Sequence, residues 1–193
     1  MLYSVLRNVG RLLFGLLGLR SEGLDKLPIN GPIIVACNHV SNWDPIAVGV
    51  VLNRPVYFMA KNQLFRFKLA SWFLIRLHAF PIKPERHAIR QALKVLREGN
   101  VLGIFPQGAR DKSGRLKAQA GVAMIALKSG APVVPIACIG TGRNIPWGWS
   151  SPLLIRVGDP IDLNEYKGKK VSSVVMEQIS EGIMNKINGL LDK

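Results

Sequence analysis

The chain reads Asn38-His39-Val40-Ser41-Asn42-Trp43-Asp44-Pro45 at the point where an apolar run ends and a helix is expected to begin. The apolar run, at 33–37, has the length of a buried strand. Asp44 directly precedes Pro45, the usual order at a helix N-terminus where a carboxylate caps backbone N–H groups. The stretch predicts one strand-turn-helix unit, with an imidazole and a carboxylate five residues apart in the turn.

The same alternation of short apolar runs and helical patterns continues along the chain. Strands are predicted at 33–37, 56–59, 101–105, 133–139 and 153–157, and helices at 45–52, 62–77, 87–98, 119–129 and 172–191. Strands separated by helices predict an α/β fold with a largely parallel central sheet flanked by helices. The 193 residues contain no internal repeat and no linker, so one domain with one buried core is expected.

The first 22 residues form a separate segment ahead of this domain, which is assigned to residues 23–193. Apolar side chains in the segment follow the three-four spacing of one helical face, at Leu2, Val5, Leu6, Val9, Leu12, Leu13, Leu16 and Leu17. The longest uncharged run after Arg11 is too short for the roughly 20 residues that cross a bilayer. We expect an amphipathic helix lying in the membrane interface, with its arginines near lipid phosphates. The alternative is an amphipathic helix packed on the protein's own core.

Composition also favours a membrane surface. The net charge is +14, 48% of residues are apolar, and residues 54–97 hold ten Lys or Arg against the single acidic residue Glu85. The charge favours anionic partners, among them phospholipid head groups, phosphorylated substrates, an acidic carrier protein and nucleic acid. Nucleic acid is not expected, because no binding motif and no paired aromatic platform is present. The predicted helix at 62–77 mixes apolar and basic side chains and fits a second membrane contact, an acyl-chain wall or a plain core helix.

Polar clusters follow the first three predicted strands. His39 follows the first strand, Lys61 the second, and Gln107 and Arg110 the third. Ligands of parallel α/β sheets gather at the carboxyl ends of the strands. We therefore expect these scattered clusters to meet at one edge of the sheet.

Four short motifs occur in order between residue 23 and about residue 160. They are Asn38-His39-x-Ser41-x-x-Asp44, Ala79-Phe80-Pro81-Ile82-Lys83-Pro84, Phe105-Pro106-Gln107-Gly108-Ala109-Arg110 and Val134-Pro135-Ile136. In order and spacing the chain resembles the glycerolipid acyltransferases of the 1-acylglycerol-3-phosphate acyltransferase type. The first motif matches their His-x4-Asp signature. Two departures stand out, because Gln107 replaces the family's glutamate and Pro84 replaces its usual arginine.

The resemblance implies base catalysis on a lipid alcohol. His39 would take the hydroxyl proton, and Asp44 would bind the other ring nitrogen and stabilise the imidazolium. Capping and catalysis would use different oxygens of this carboxylate. By resemblance, Lys61 would stabilise the thioester oxygen, although a solvated surface charge fits it equally well. Ser41 lies in no nucleophile elbow and is expected to be a hydrogen-bonding loop residue.

A phosphorylated acceptor needs cations and approachable backbone amides. Arg110 offers a planar two-pronged donor, and the amides around Gly108 are open to close approach. Gln107 keeps the hydrogen-bonding ability of a glutamate without its charge. The arginine that is missing at Pro84 is replaced by Lys83, by Arg86 or by neither, and Lys83 is preferred. We assign Arg110, Gln107, Gly108 and Lys83 to the phosphate.

The expected activity is acyl transfer from a thioester to the free sn-2 hydroxyl of 1-acylglycerol 3-phosphate, giving phosphatidate. The alternatives are another lysolipid or glycerol 3-phosphate as acceptor, or a non-catalytic lipid-binding relative. Acyl-CoA or acyl carrier protein would supply the acyl group as co-substrate, with no cofactor and no metal, because the histidines and cysteines show no ligand spacing. Cys37 and Cys138 lie in apolar runs and are expected to be reduced core thiols in a cytoplasmic setting. The protein would sit on the cytoplasmic face of the cell membrane, monotopic or peripheral.

Overall fold

A computed structural model describes residues 2–110, 118–142, 153–166 and 169–192. Its α-helices are α1 (Leu2–Leu16), α2 (Asp44–Val51), α3 (Lys68–Arg76), α4 (Glu85–Arg97), α5 (Gly121–Ser129) and α6 (Ser173–Leu191). Its strands are β1 (Leu19–Glu22), β2 (Ile33–Cys37), β3 (Val56–Ala60), β4 (Phe80–Pro81), β5 (Val101–Ile104), β6 (Val133–Ile139) and β7 (Leu153–Val157). Short 3₁₀ turns occupy Leu24–Lys26, Asn62–Phe65 and Asn164–Tyr166.

The seven strands form one sheet in the order β1-β7-β6-β2-β5-β3-β4. All neighbouring strands pair in parallel except β6 and β7, which are antiparallel. The predicted α/β fold with a largely parallel sheet is therefore confirmed. The strands β2, β5 and β3 stand side by side near the middle of the sheet, so their carboxyl ends open on one edge.

Helices cover both faces of the sheet, which explains why the central strands are continuous apolar runs. Side chains of β2 alternate between two apolar clusters. Ile34 and Ala36 pack on one face with buried residues of α4, α5 and α6. Ile33 and Val35 pack on the other face with α2 and with Phe14 of α1. The sheet thus provides a rigid base for the loops at its edge.

Most of the predicted elements lie within two residues of the observed ones, and three strands agree at both ends. The sequence patterns missed β1 and β4, because β1 is a short edge strand with exposed polar residues and β4 has only two residues. The helix predicted at 62–77 is divided into the 3₁₀ turn Asn62–Phe65 and α3. No residue of α3 is buried, so the possibility of a plain core helix is wrong.

Helix α1 packs closely against α2. A Cβ atom at Gly10 would lie 2.7 Å from Cγ2 of Val50, so only glycine permits this approach. Arg7 Nη1 donates to the carbonyl of Asn53 at 2.8 Å, and Arg11 Nε donates to the carbonyl of Val50 at 2.8 Å. These two arginines satisfy carbonyl groups at the end of α2, where a helix has no internal donors. Both guanidinium groups thus bind the protein, and their contact with lipid phosphates stays a prediction.

The opposite side of α1 carries an uncovered apolar stripe, which we call the α1 stripe. Its members are between 50% and 71% exposed, namely Val5, Val9, Leu12, Leu13 and Leu16. One face of this helix thus packs on the protein, as the second alternative expects, and a membrane contact of the bare face stays a prediction. None of the described helices is long and apolar enough to cross a bilayer.

Candidate functional site

The candidate site lies where β2 and β5 end side by side. The loop after β2 carries His39, and the loop after β5 carries Gln107. The two loops are joined directly, because the backbone N–H of His39 donates to Oε1 of Gln107 at 2.8 Å. The predicted meeting of these two clusters at one sheet edge is confirmed.

The imidazole and the carboxylate of the first motif face each other. His39 Nδ1 lies 2.8 Å from Asp44 Oδ2. The same oxygen accepts the backbone N–H groups of Val40 and Ser41, each at 2.8 Å. An oxygen that already accepts from two amides is an acceptor for the ring as well, so Nδ1 carries the proton. The other ring nitrogen, Nε2, then holds the free lone pair that a general base requires.

The capping role expected for Asp44 is wrong. Trp43 occupies the N-cap position of α2, and no side chain caps this helix. The carboxylate instead turns back into the loop that precedes it, because the N–H groups of Val40 and Ser41 converge there on a single oxygen. Asp44 Oδ1 is buried and has no hydrogen-bond partner among the described residues. The two functions therefore do not divide between two oxygens, and this carboxylate is committed to the imidazole and its loop.

An aromatic stack supports the imidazole from one side. The rings of His39 and Phe105 are stacked with centroids 4.1 Å apart, and Phe105 stacks in turn on Phe58 at 5.5 Å. A Cβ atom at Gly103 would lie 2.2 Å from Phe58 Cε1, so the glycine makes room for the stack. The sequence reasoning missed this role of Phe105. Its position, directly after β5 and first in the third motif, was the available signal.

Gln107 is buried, and its side-chain oxygen holds the backbone of His39. Accepting an N–H group needs an oxygen and not a negative charge, so the amide can serve this purpose without a carboxylate. The structure therefore places Gln107 between the two loops rather than on the open surface. Its assignment to a bound phosphate stays a prediction.

Asn38 ties the same edge to β6. Its Nδ2 donates to the carbonyl of Cys138 at 3.0 Å, and its Oδ1 accepts the N–H of Cys138 at 2.7 Å. The side chain thus extends the ladder between two strands by one step. Cys138 and Cys37 are buried free thiols. A side-chain hydrogen bond shared with Cys37, together with burial, raises the pKa of Cys138 well above its ordinary value, so this thiol stays protonated.

The predicted cations are exposed on loops at the surface. Lys61 and Lys83 are exposed on the loops that follow β3 and β4. Asn62 joins these loops, because its Nδ2 donates to the carbonyl of Lys83 at 3.0 Å and its Oδ1 accepts the N–H of Lys83 at 2.9 Å. No side-chain hydrogen bond or ion pair links either lysine to another described residue. Their charges are therefore available to an anion.

Arg110 is exposed at the end of the third motif. Gly108 has a positive φ of 66°, and a Cβ atom there would lie 2.4 Å from Nε2 of Gln119. The side chain of Gln119 thus lies directly over the glycine, a contact that no sequence pattern indicated. No contact between the His39 ring and Lys61, Lys83 or Arg110 is found, so their predicted roles rest on position alone.

Two further expectations concern Ser41 and metal binding. Ser41 Oγ accepts the N–H of Trp43 at 3.2 Å, which is the loop role that was predicted. Within the described ranges no group of three or more His, Cys, Asp or Glu side chains could hold a metal ion.

Comparisons with known proteins concern the family and the fold of this chain. The family model described as Acyltransferase matches residues 18–139. The chain is 30% identical, over 90% of both chains, to the 1-acyl-sn-glycerol-3-phosphate acyltransferase of Bacillus subtilis. It is 28% identical to the enzyme of the same name from Borreliella burgdorferi, over 81% of this chain and 68% of that one. The crystal structure of the 1-acyl-sn-glycerophosphate (LPA) acyltransferase PlsC from Thermotoga maritima matches with a TM-score of 0.72 and 26% identity, covering 97% of this chain and 79% of that one.

Proposed function

The chain belongs to the acyltransferase family, and from this premise we propose that it transfers a fatty acyl group to the free sn-2 hydroxyl of 1-acylglycerol 3-phosphate. The acyl group comes from a thioester, and the product is phosphatidate. The observation that carries the proposal is the hydrogen bond of 2.8 Å between His39 Nδ1 and Asp44 Oδ2 at the sheet edge. The names of the relatives from Bacillus subtilis and Borreliella burgdorferi support the choice of acceptor.

The reaction begins with proton removal by His39. Its Nε2 takes the proton of the sn-2 hydroxyl while the hydroxyl oxygen attacks the carbonyl carbon of the thioester. Asp44 Oδ2 stabilises the imidazolium that forms, and the two backbone N–H groups on the same oxygen hold the carboxylate in place. The tetrahedral intermediate then collapses by breaking its carbon–sulfur bond. The leaving thiolate recovers the proton from the imidazolium, so the enzyme returns to its starting state.

Negative charge develops on the thioester oxygen during the attack. Lys61 is proposed to stabilise it, since the side chain is exposed at the end of β3, one strand away from the loop of Gln107. Direct transfer without an acyl-enzyme is the simpler route, because Ser41 uses its oxygen to accept a backbone N–H group.

The acceptor's phosphate is proposed to bind Arg110 and Lys83. Arginine offers two parallel donors to a phosphate, and lysine adds a point charge. The backbone N–H of Gly108 donates to the carbonyl of Phe105 at 2.9 Å, so this glycine would contribute close approach of the ligand rather than its own amide. Because an amide at Gln107 adds no negative charge beside the phosphate, this departure from the family's glutamate leaves phosphate binding intact.

The acyl donor is proposed to be acyl-CoA or acyl carrier protein, both of which are anionic. The net charge of +14 and the basic stretch at 54–97 support attraction of either donor. No cofactor is needed for the transfer.

The protein is proposed to bind the cytoplasmic face of the membrane from one side. The α1 stripe supports this placement, since five exposed Val and Leu side chains on one helical face fit the acyl boundary of a leaflet. The lysolipid acceptor would then reach His39 without leaving the bilayer.

The test is transfer of labelled acyl groups by the purified protein, with lysophosphatidate and glycerol 3-phosphate as competing acceptors. We expect labelled phosphatidate, and we expect His39→Ala to reduce kcat by about 10³ or more because the general base is lost. His87→Ala is the matched control, since this histidine is exposed on α4. A product made from glycerol 3-phosphate alone would refute the acceptor assignment, and full turnover by His39→Ala would refute the mechanism.

A further inference from the structure

The part of the surface that follows Lys61 in the chain is apolar and uncovered. It is formed by residues 62–76, which comprise the 3₁₀ turn Asn62–Phe65, the two residues after it and α3, and we call it the α3 surface. Its large apolar side chains are between 41% and 81% exposed, namely Leu64, Phe67, Leu69, Trp72, Phe73 and Ile75. A soluble monomer rarely exposes a contiguous apolar patch larger than a few hundred Å². An exposed row of this kind indicates a surface that meets a partner.

Helix α3 has little reason to be stable on its own. It has nine residues, no side-chain cap at its N-terminus, and no buried residue. Isolated helices shorter than about 12 residues are marginal in water, and in proteins their stability comes mainly from a packed apolar face. Within the described chain no element buries this face. A partner that covers it would supply the missing stabilisation.

The charge on this surface selects the partner. Residues 54–84 contain six Lys or Arg and no Asp or Glu. Arg66, Lys68 and Arg76 are exposed among the apolar side chains, and the guanidinium of Arg76 lies 5.0 Å from the centre of the Trp72 ring. Exposed rings mixed with cations match a leaflet of anionic phospholipid, in which acyl chains lie beneath phosphates. A second copy of this chain fits poorly, because equal positive charges would face each other.

An aromatic contact links the start of α1 to the residues that follow α3. The ring of Tyr3, near the start of α1, lies 4.8 Å from the ring of His78, two residues beyond the end of α3. His78 also contacts Tyr57, with ring centroids 4.5 Å apart. The start of α1 and the chain just beyond α3 therefore lie close together.

We propose that the α3 surface is a second membrane-docking element, which places its aromatic and leucine side chains among the head groups and upper acyl chains of an anionic leaflet. The choice of a bilayer as the partner rests on the proposed function, because its acceptor and product are membrane lipids. Docking through α3 would also bring the loop of Lys61, which directly precedes this surface, to the membrane. The carboxyl edge of the sheet would then open toward the lipid.

The first test is flotation of the full chain with vesicles of phosphatidylcholine that contain about one phosphatidylglycerol in four lipids, at physiological salt. The double variant Phe67→Ser with Leu69→Ser removes the two most exposed side chains of the surface. We expect its partition coefficient to fall by about tenfold or more, since each lost apolar group no longer enters the leaflet. Ile29→Ser is the matched control, because Ile29 is 84% exposed in the loop before β2 and should change partition by less than about twofold. Equal partition of the double variant and the parent would overturn the proposal.

A second test follows the tryptophan of the surface directly. The fluorescence of Trp72 is the difference between the emission of the parent and that of Trp72→Phe. Lipids brominated on the acyl chains should quench this difference when the protein is bound to vesicles. If this difference is not quenched, or if sedimentation shows that the parent forms a dimer that the double variant lacks, the proposal fails. Near-ultraviolet circular dichroism checks that the variants are folded. Because none of these measurements depends on acyl transfer, a parent that docks but makes no phosphatidate would remove the proposed function and leave the docking element standing.

Discussion

Replacing Asp44 with asparagine tests how the carboxylate acts on His39. The orientation of the new amide is set by the two fixed N–H groups of Val40 and Ser41, which require an oxygen at the position of Oδ2. The amide oxygen then still accepts from Nδ1 of His39, so the proton stays on Nδ1 and Nε2 remains the base. Asp44→Asn therefore removes the negative charge while it preserves the tautomer.

The magnitude follows from the loss of one charge-assisted hydrogen bond. Such a bond contributes about 1.5–3 kcal/mol, against about 0.5–1.5 kcal/mol for a neutral one. The difference of about 1–1.5 kcal/mol in the stability of the imidazolium corresponds to a fall in kcat of about 5- to 12-fold, at about 1.4 kcal/mol per factor of ten. The Michaelis constant for the acceptor should change little, because Asp44 acts through the imidazole and is itself buried.

The substitution also carries a structural cost. The amide nitrogen takes the place of Oδ1, which is buried and has no partner among the described residues. An unsatisfied buried N–H group costs about 1–3 kcal/mol, and each kcal/mol lowers Tm by about 2–4 °C in a domain of this size. The loss in kcat is therefore measured at a temperature well below the transition of the variant.

The assay is labelled phosphatidate formation at saturating acceptor, with thermal unfolding followed by circular dichroism. Asp25→Asn is the control, because Asp25 is an exposed aspartate in the 3₁₀ turn Leu24–Lys26. A kcat within about threefold of the parent would refute the coupling between Asp44 and His39. A loss of about 10⁴ or more, as large as the loss from removing the imidazole, would refute the argument that the tautomer is preserved.

Three further predictions concern other parts of the structure. Gln107→Glu should keep kcat within about fivefold, because an oxygen still accepts the N–H of His39. Gln107→Leu removes that oxygen and should lower kcat by about tenfold or more. A larger loss of kcat for Gln107→Glu than for Gln107→Leu in steady-state kinetics would contradict the hydrogen-bonding role of Gln107. Gly10→Ala should lower Tm, because the new methyl group meets Val50 of the neighbouring helix. Gly15→Ala, whose Cβ would have no atom within 4 Å, should raise the free energy of unfolding in denaturant by about 0.5–1 kcal/mol. Equal effects of the two variants on stability would contradict the close crossing of α1 and α2. Arg110→Ala should raise the Michaelis constant for the phosphorylated acceptor by about tenfold or more and leave that of the acyl donor unchanged, and an effect on the donor alone would refute the phosphate assignment.

The sheet and the position of the first motif were predictable because they depend on local patterns. Apolar runs of strand length mark β2 and β6, since strands that are buried on both faces need no polar alternation. The general rule for parallel sheets then placed His39 and Gln107 at one edge, and the hydrogen bond between them confirms it.

Local sequence patterns did not predict the hydrogen-bond partners of several polar side chains, because more than one partner is available to each of them. Asp44 before Pro45 has the sequence of a helix cap, yet the carboxylate binds the preceding loop and the imidazole. Arg7 and Arg11 lie in an amphipathic helix where lipid-facing arginines are expected, yet they donate to backbone carbonyls at the end of α2. In each case the choice depends on distances between segments that are far apart in the chain or folded back on each other.

By itself, the order of residues determined the α/β class, the strands of the central sheet and the His39–Asp44 pair, because hydrophobic periodicity and short spacings are properties of neighbouring residues. Only the tertiary structure decided which hydrogen bonds these side chains make, that Phe105 supports the imidazole, and that α3 buries nothing. The physical reason is that hydrogen-bond partners, ring contacts and burial are set by the packing of distant elements. A pattern along the chain indicates which groups are present, and the fold determines which of them meet.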